Sequence, residues 1–353
     1  MSIKLQVLVV DDSALMRRLI GELLESDPGI EVVGTARDGM EAVEKVLELR
    51  PDVVTMDVEM PRMNGLDALS QIMQRFPVPV VMLTGLTEAE VALEAMERGA
   101  VDFVLKPSGT ISMDLHEIRD ELVHKVKLAR LANLRKLSSP VLPAPSVPSY
   151  GRRRVRSKHP AVVIGASTGG PRAVESVLAA LPGDLPAPVL IVQHMPPGFT
   201  RSFAQRLDQR SALAVKEAEG GEALEPGNAF VAPGDFHLRV QAAGSAGRVK
   251  LEQSPPVNGV RPAVDVTMKD VAEVYGRGAV GVVLTGMGAD GAQGAQHIRA
   301  AGGIVIAQDQ ESCVVFGMPR AVIRAGAADR VLPLEDIPAA IVQALAKNRE
   351  VQP

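Results

Sequence analysis

The chain predicts two α/β domains in tandem, each built on a mainly parallel sheet, and three observations carry that expectation. At 353 residues it exceeds the span of one hydrophobic core. Short apolar runs alternate with segments of helical periodicity both before residue 125 and after residue 159. Between them, "SSPVLPAPSVPSYGRRRVRSKH", from Ser138 to His159, carries prolines and then a basic run with no apolar period, the composition of a semi-extended linker.

In the first domain, "KLQVLVV" is a run of buried-strand type, and Leu15, Leu19 and Leu23 then fall at helical spacing. "IEVVGTA" and "DVVTMD" repeat the strand signal around the helical "GMEAVEKVLELR". "VPVVMLTG" precedes "TEAEVALEAMERGA", where Thr87 and Glu90 have capping-box spacing. "VDFVLKP" ends the series, and "SMDLHEIRDELVHKVKLARLANLRKL" predicts one long helix feeding the linker. Five strands alternating with five helices predict a doubly wound parallel sheet with its chemistry at the carboxyl ends of the strands.

Asp11 and Asp12 end the first strand, Asp57 ends the third, Thr84 the fourth and Lys106 the fifth. Three carboxylates at one edge repel unless a hard cation sits among them, and Mg2+ with oxygen ligands is the ordinary solution. Asp57 can then attack a phosphoryl group whose charge Mg2+ and the Lys106 ammonium neutralise, with Thr84 donating a hydrogen bond to the product. On these residues, 1–125 resembles a response-regulator receiver domain. The resemblance implies that Asp57 takes a phosphoryl group from a histidine kinase, that Asp11 and Asp12 help to hold Mg2+, and that Thr84, Phe103 and Lys106 report the phosphorylated state.

Residues 126–158 read as a helix extension followed by the Pro/Arg-rich linker, and 159–350 as the output domain. There "AVVIGAS", "APVLIVQHM", "NAFVAPGD", "AVGVVLTGMGADG" and "GGIVIAQD" are apolar runs ending in small or polar residues. Helical patterns such as "PRAVESVLAALP", "TRSFAQRLDQ" and "DGAQGAQHIRAAG" lie between several of them, while the alternation within Phe230–Gln253 predicts an antiparallel addition.

The loop "IGASTGGP" places Ser167 between glycines. Gly165, Ser167 and Gly169 match the G-x-S-x-G nucleophile elbow, and a glycine-rich phosphate cradle is the competing reading. No Lys follows Gly170, so the Walker loop is incomplete, and Ala166-Ser167 breaks the dinucleotide spacing. His194 ends "VLIVQH" and Asp290 follows "VGVVLTGMGA", so parallel strands bring Ser167, His194 and Asp290 to one sheet edge as nucleophile, base and orienting acid. The chain order Ser, His, Asp differs from that of α/β-hydrolases, which makes the arrangement convergent. Asp235 and Asp265 compete for the acid role or cap turns; His237 reads as a surface or turn residue, His297 as helical and His159 as linker. Backbone N–H groups of Thr168 and Met287 are oxyanion-hole candidates, with Met287 otherwise a pocket wall.

The stretches "IGASTGGP", "QHMPPGFTRSFAQRLD", "FVAPGDFHL", "RPAVD" and "LTGMGADGA", together with the receiver, resemble the CheB family of chemotaxis protein-glutamate methylesterases and glutamine deamidases over nearly the whole chain. The resemblance implies a Ser167–His194–Asp290 triad that demethylates glutamate esters, and deamidates glutamines, on the cytoplasmic helices of chemoreceptors. Thr168 and Met287 match the active-site motifs, and the esterase needs no cofactor. After "RPAVD" the chain continues "VTMKD" where the family pattern has an aromatic and a serine, a departure expected at the pocket rim or a domain interface.

Composition sets the remaining bounds. Aromatic residues make up 3% with no Trp, so the cores draw on Val, Leu, Ile, Ala and Met. A formal net charge of −4 supplies no global attraction to nucleic acid or an anionic membrane, and Arg152, Arg153, Arg154 and Arg156 read as solvated linker. The apolar start "MSIKLQVLVVDD" meets two carboxylates instead of a cleavage site, and no apolar stretch approaches a membrane span. The one cysteine, Cys313, has no intramolecular partner and reads as a packed apolar residue. The expectation is a cytoplasmic monomer with no nucleic-acid partner and no membrane insertion.

Overall fold

The structure, a computed structural model, describes residues 4–85, 88–106, 114–138, 160–244 and 246–350. Thr87 of the expected capping box and linker residues 139–159, with their arginines and His159, lie outside the described residues. The chain divides into two compact units, Met1–Ser139 and Pro140–Pro353.

In the first unit, strands β1 (Leu5–Val10), β2 (Ile30–Ala36), β3 (Val53–Asp57), β4 (Val80–Thr84) and β5 (Asp102–Leu105) alternate with helices α1 (Ala14–Glu25), α2 (Gly39–Leu49), α3 (Gly65–Arg75), α4 (Ala89–Glu97) and α5 (Asp114–Ala129). The sheet is wholly parallel, in the order β2-β1-β3-β4-β5. Strands β3 and β4 are buried at every position, which is why they read as unbroken apolar runs. Side-chain caps on α1, α2 and α3 come from Ser13, Asp38 and Asn64, whose oxygens accept from backbone N–H groups in the first turn. The single long helix expected before the linker is two: α5 ends at Ala129, and α6 (Leu134–Ser138) follows a short break. Arg130–Ala132 turn the chain there, and Leu137 packs into the first unit at 2% exposure.

The second unit contains β6 (Ala161–Ala166), α7 (Gly170–Ala180), β7 (Val189–Gln193), α8 (Phe199–Arg210), β8 (Ala214–Glu217), β9 (Asn228–Val231), β10 (His237–Ala243), β11 (Ala246–Glu252) and α9 (Val264–Tyr275). Then come β12 (Ala279–Val283), α10 (Ala292–Ala300), β13 (Ile304–Gln308), α11 (Met318–Arg324), β14 (Arg330–Leu332) and α12 (Ile337–Glu350). Its main sheet is parallel, in the order β14-β13-β12-β6-β7-β9-β8. The antiparallel addition is the separate ladder β10–β11, which starts at His237; Phe230 belongs to β9 of the parallel sheet. Central β6, β7 and β12 are buried at every position, so the catalytic-type loops that follow them spring from the rigid middle of the sheet.

Three expectations need correction. The segment beginning "VDV" opens α9 instead of a turn, with Asp265 in its first helical turn. The departure from the family pattern lies within that helix: Met268 is fully buried in the hydrophobic core, and Asp270 pairs with Arg239 at 2.6 Å while accepting from Val240 N. His237 is fully buried, not a surface residue, because its ring bridges the backbone of Pro255 and Ala263. Cys313 is buried, and burial pushes its thiol far above the ordinary range.

Candidate functional sites

Strand register assembles the first site. Val10 pairs with Met56 and Thr84 with Leu105, so Asp11, Asp57, Thr84 and Lys106 leave the sheet at one edge. Carboxylate oxygens of Asp11, Asp12 and Asp57 lie within 4.8 Å of one another. Lys106 Nζ is 2.6 Å from Asp57 Oδ1 and 3.0 Å from Asp11 Oδ2. A cleft of about 510 Å³, lined by Asp12, Asp57, Glu59, Met60, Pro61, Glu88 and Lys106, opens over Asp57. Burial raises Asp57 to about 6 against the opposing pull of Lys106, with Asp11 adding repulsion. Burial lowers Lys106, but Asp57 and Asp11 outweigh it and hold the ammonium above its ordinary range. A hard oxygen-donor set around an under-neutralised carboxylate fits a divalent cation of the Mg2+ type.

Two of the three residues expected to report phosphorylation, Thr84 and Phe103, are already engaged. Thr84 Oγ1 donates to Glu88 Oε2 at 2.9 Å, and the same oxygen accepts from Gly85 N. Phe103 is buried, with Lys125 Nζ 5.2 Å from its ring centroid. Glu88, unremarked in the sequence, therefore holds the hydroxyl expected to meet a phosphoryl group.

The second site forms in the same way. Ala166 pairs with Gln193, so the next residues, Ser167 and His194, leave adjacent parallel strands together. Their backbones are tied, since His194 N donates to Ala166 O at 3.1 Å and Gln193 Nε2 to Ser167 O at 3.0 Å. The turn that lifts Ser167 closes with Gly170 N on Ser167 O and passes through Gly169 at φ +73°, a conformation glycine adopts without strain. Loop 284–291 after β12 lies against it: Ser167 N donates to Thr285 O, and a Cβ on Gly286 would stand 2.8 Å from Ser167 Cβ and 2.5 Å from Met318 Sδ. Thr285 Oγ1 bonds Thr168 O and the backbone of Val315, fastening the two loops.

Asp290 is 2% exposed, and His194 Nε2 lies 2.8 Å from its Oδ2. The same oxygen accepts from Val264 N, while Oδ1 accepts from Asp265 N, Gly291 N and Asn258 Nδ2. Burial pushes the carboxyl up, but His194 and the Val264 and Asp265 amides outweigh it and hold Asp290 below its ordinary value. The competing acids bond elsewhere: Asp235 pairs with Arg261, and Asp265 accepts from Gly294 N and Asn258. Thr168 is buried and Met287 half-buried beside Ser167's loop. Gln193 and Asn258 were not singled out in the sequence; the "NG" turn dipeptide at 258–259 was the available signal for the latter.

A phospho-acceptor edge on one α/β unit and a serine, histidine and carboxylate at the edge of another define a response regulator with a hydrolase-type output domain. Residues 7–116 match the model of the response regulator receiver domain, and 162–341 that of the CheB methylesterase. The chain belongs to the CheB family. It is 53% identical to a protein-glutamate methylesterase/protein-glutamine glutaminase of Symbiobacterium thermophilum, over 98% of both chains. A protein of the same name from Pyrococcus abyssi is 50% identical over 98% of this chain and 95% of that one. Among solved structures, the CheB methylesterase catalytic domain of Thermotoga maritima matches 52% of this chain and 98% of its own, at 51% identity and a TM-score of 0.52. Among the described residues no helix is long and apolar enough to cross a membrane.

Proposed function

We propose that this protein is a phosphorylation-controlled esterase and amidase that removes methyl groups from glutamate esters, and ammonia from selected glutamines, on chemoreceptor cytoplasmic helices. The single observation that carries the catalytic assignment is the His194 Nε2 to Asp290 Oδ2 hydrogen bond, made where register delivers His194 beside Ser167. With Nε2–H given to Asp290, Nδ1 is left to take the Ser167 proton. Ser167 Oγ attacks the ester carbonyl, and the oxyanion is met by the backbone N–H groups of Thr168 and Met287. The imidazolium returns its proton to the leaving methoxide oxygen, and methanol departs from a glutamyl-serine ester. Water, deprotonated by His194, then attacks that ester; Ser167 recovers its proton and the product is glutamate. A glutamine follows the same path with ammonia leaving.

Control belongs to the first domain. Asp57 attacks the phosphorus of a histidine kinase's phosphoimidazole, and Lys106, already on Asp57 and Asp11, meets the incoming charge. Asp11, Asp12 and Asp57 would hold Mg2+, which supplies charge neutralisation at the phosphoryl oxygens. Thr84 must leave Glu88 to reach the new phosphoryl group.

The test is methanol release from a methylated chemoreceptor with and without a phosphodonor. Ser167→Ala is expected to lower the rate by about 10⁶-fold while Asp57 still takes up phosphate. Retained methanol release would overturn the assignment.

A further inference from the structure

The segment from Ser254 to Ala263 carries nothing the reaction above uses, yet it is fastened with unusual care. It closes on itself through Val257 N to Val260 O and Val260 N to Val257 O, at 3.1 and 3.0 Å. Asn258 and Gly259 at its tip have φ of 54° and 77°, the doubly left-handed turn that asparagine–glycine pairs favour. His237 bonds Pro255 O and Ala263 N, and Arg261 bonds Ser254 O and Asp235. So anchored, the tip delivers Asn258 Nδ2 to within 2.8 Å of Asp265 Oδ2 and 3.2 Å of Asp290 Oδ1.

Asp265 and Asp290 are both buried, and like charges so placed tend to share a proton. Burial raises Asp265, the Gly294 amide pulls it back, and Asp290 adds repulsion. A primary amide has two hydrogens on one nitrogen, enough to give one to each carboxylate. The titratable groups facing Asp290 are Asp265, from α9, and His194, after β7. A proton shared onto Asp290 would weaken it as the acceptor for His194.

We propose that Asn258 is the positioning residue of the triad carboxylate: its amide bridges Asp290 and Asp265, keeps both ionised and fixes the carboxylate that orients His194. The proposal rests on Asp290 being the orienting acid. It explains a neutral two-donor side chain at a left-handed position, where glycine alone would satisfy the backbone.

Two variants of the full chain separate this role from mere support of the turn. Asn258→Gly keeps the left-handed turn and removes the amide. Asn258→Asp keeps shape and tolerance of that conformation but replaces the donors with a third carboxylate. Methanol release from a methylated chemoreceptor is measured across pH, with thermal unfolding of each variant and Ser167→Ala in the same assay. Expected is kcat/KM falling about tenfold in Asn258→Gly and further in Asn258→Asp. The acid limb of the profile moves to higher pH in both, because the carboxylate pair takes up its proton sooner. Asn258→Asp matching the parent protein, or a rate loss with an unmoved acid limb, overturns the proposal. Activity retained in Ser167→Ala would instead overturn the catalytic assignment beneath it.

Discussion

Asp57 and Asp290 are both buried carboxylates at the carboxyl edge of a parallel sheet, and their environments have driven them in opposite directions. Around Asp57 the charged partners are one ammonium and the carboxylates of Asp11 and Asp12, so burial prevails and the group rises to about 6. Around Asp290 both oxygens are occupied by N–H donors from His194, Val264, Asp265, Gly291 and Asn258, and the group falls below its ordinary value despite deeper burial. Burial therefore does not decide a carboxylate's role; the count and sign of its neighbours do. Asp57 faces an open cleft and meets fewer donors, the Lys106 ammonium and the Val58 amide. Asp290 is saturated, which suits a group that holds an imidazole and never reacts.

The largest effects come from crossing the two. Asp290→Asn should lower kcat for methanol release by about 10⁴-fold, because the amide offers His194 Nε2–H a poorer acceptor and permits the wrong tautomer. Phosphorylation of Asp57, followed by transfer from a labelled phosphodonor, should be unaltered in that variant. Asp57→Asn should do the reverse, abolishing phosphate uptake while basal methanol release continues. A variant that lost both activities would show that the two carboxylates do not act separately.

Next in size is the contact that sets Ser167. A methyl at Gly286 would meet Ser167 Cβ and Met318 Sδ inside van der Waals distance. Gly286→Ala should displace the nucleophile and reduce kcat by about 10²-fold, the penalty for a misplacement near 1 Å. Overpacking should also cost about 1–3 kcal/mol in unfolding free energy. Comparable slowing of Asp57 phosphorylation would mean general damage instead of a local shift.

What the sequence could tell follows the same division. Residues at a strand end or one step past it were legible: Asp11, Asp57, Lys106, Ser167 and His194 each follow or end a run of apolar residues whose parallel pairing fixes where the next side chain emerges. Asn258 and Glu88 were not, because each acts from a loop or helix start through contacts made at distances no local pattern records. His237 was misplaced for a related reason. Alternation in "FHLRV" identifies a strand but not which face is covered, and the cover comes from a segment 18 residues further on, at Pro255. Helix α9 was missed because its opening "RPAVD" carries a proline and its cap is supplied by Asp290 from a distant loop.

The smallest expected effect is thermodynamic and isolates Asp57. A carboxyl whose folded value of about 6 lies above its ordinary 3.8 contributes stability that is complete below the lower value and is lost as pH rises through the upper one. Lowering the pH from 7 towards 5 without divalent ions should thus stabilise the first domain through this group, by on the order of 1 kcal/mol. The carboxyl carbon resonance of Asp57 should titrate with a midpoint near 6 in that window, while that of Asp290 stays flat, because its donors keep it ionised there. Adding Mg2+ should pull the Asp57 midpoint down and cancel the gain, since a cation among the carboxylates favours the charged form. An Asp57 resonance already flat above pH 5 without Mg2+ would mean that Lys106 neutralises the site by itself, and the contrast between the two carboxylates would then lie in solvent access to the cleft instead of in charge.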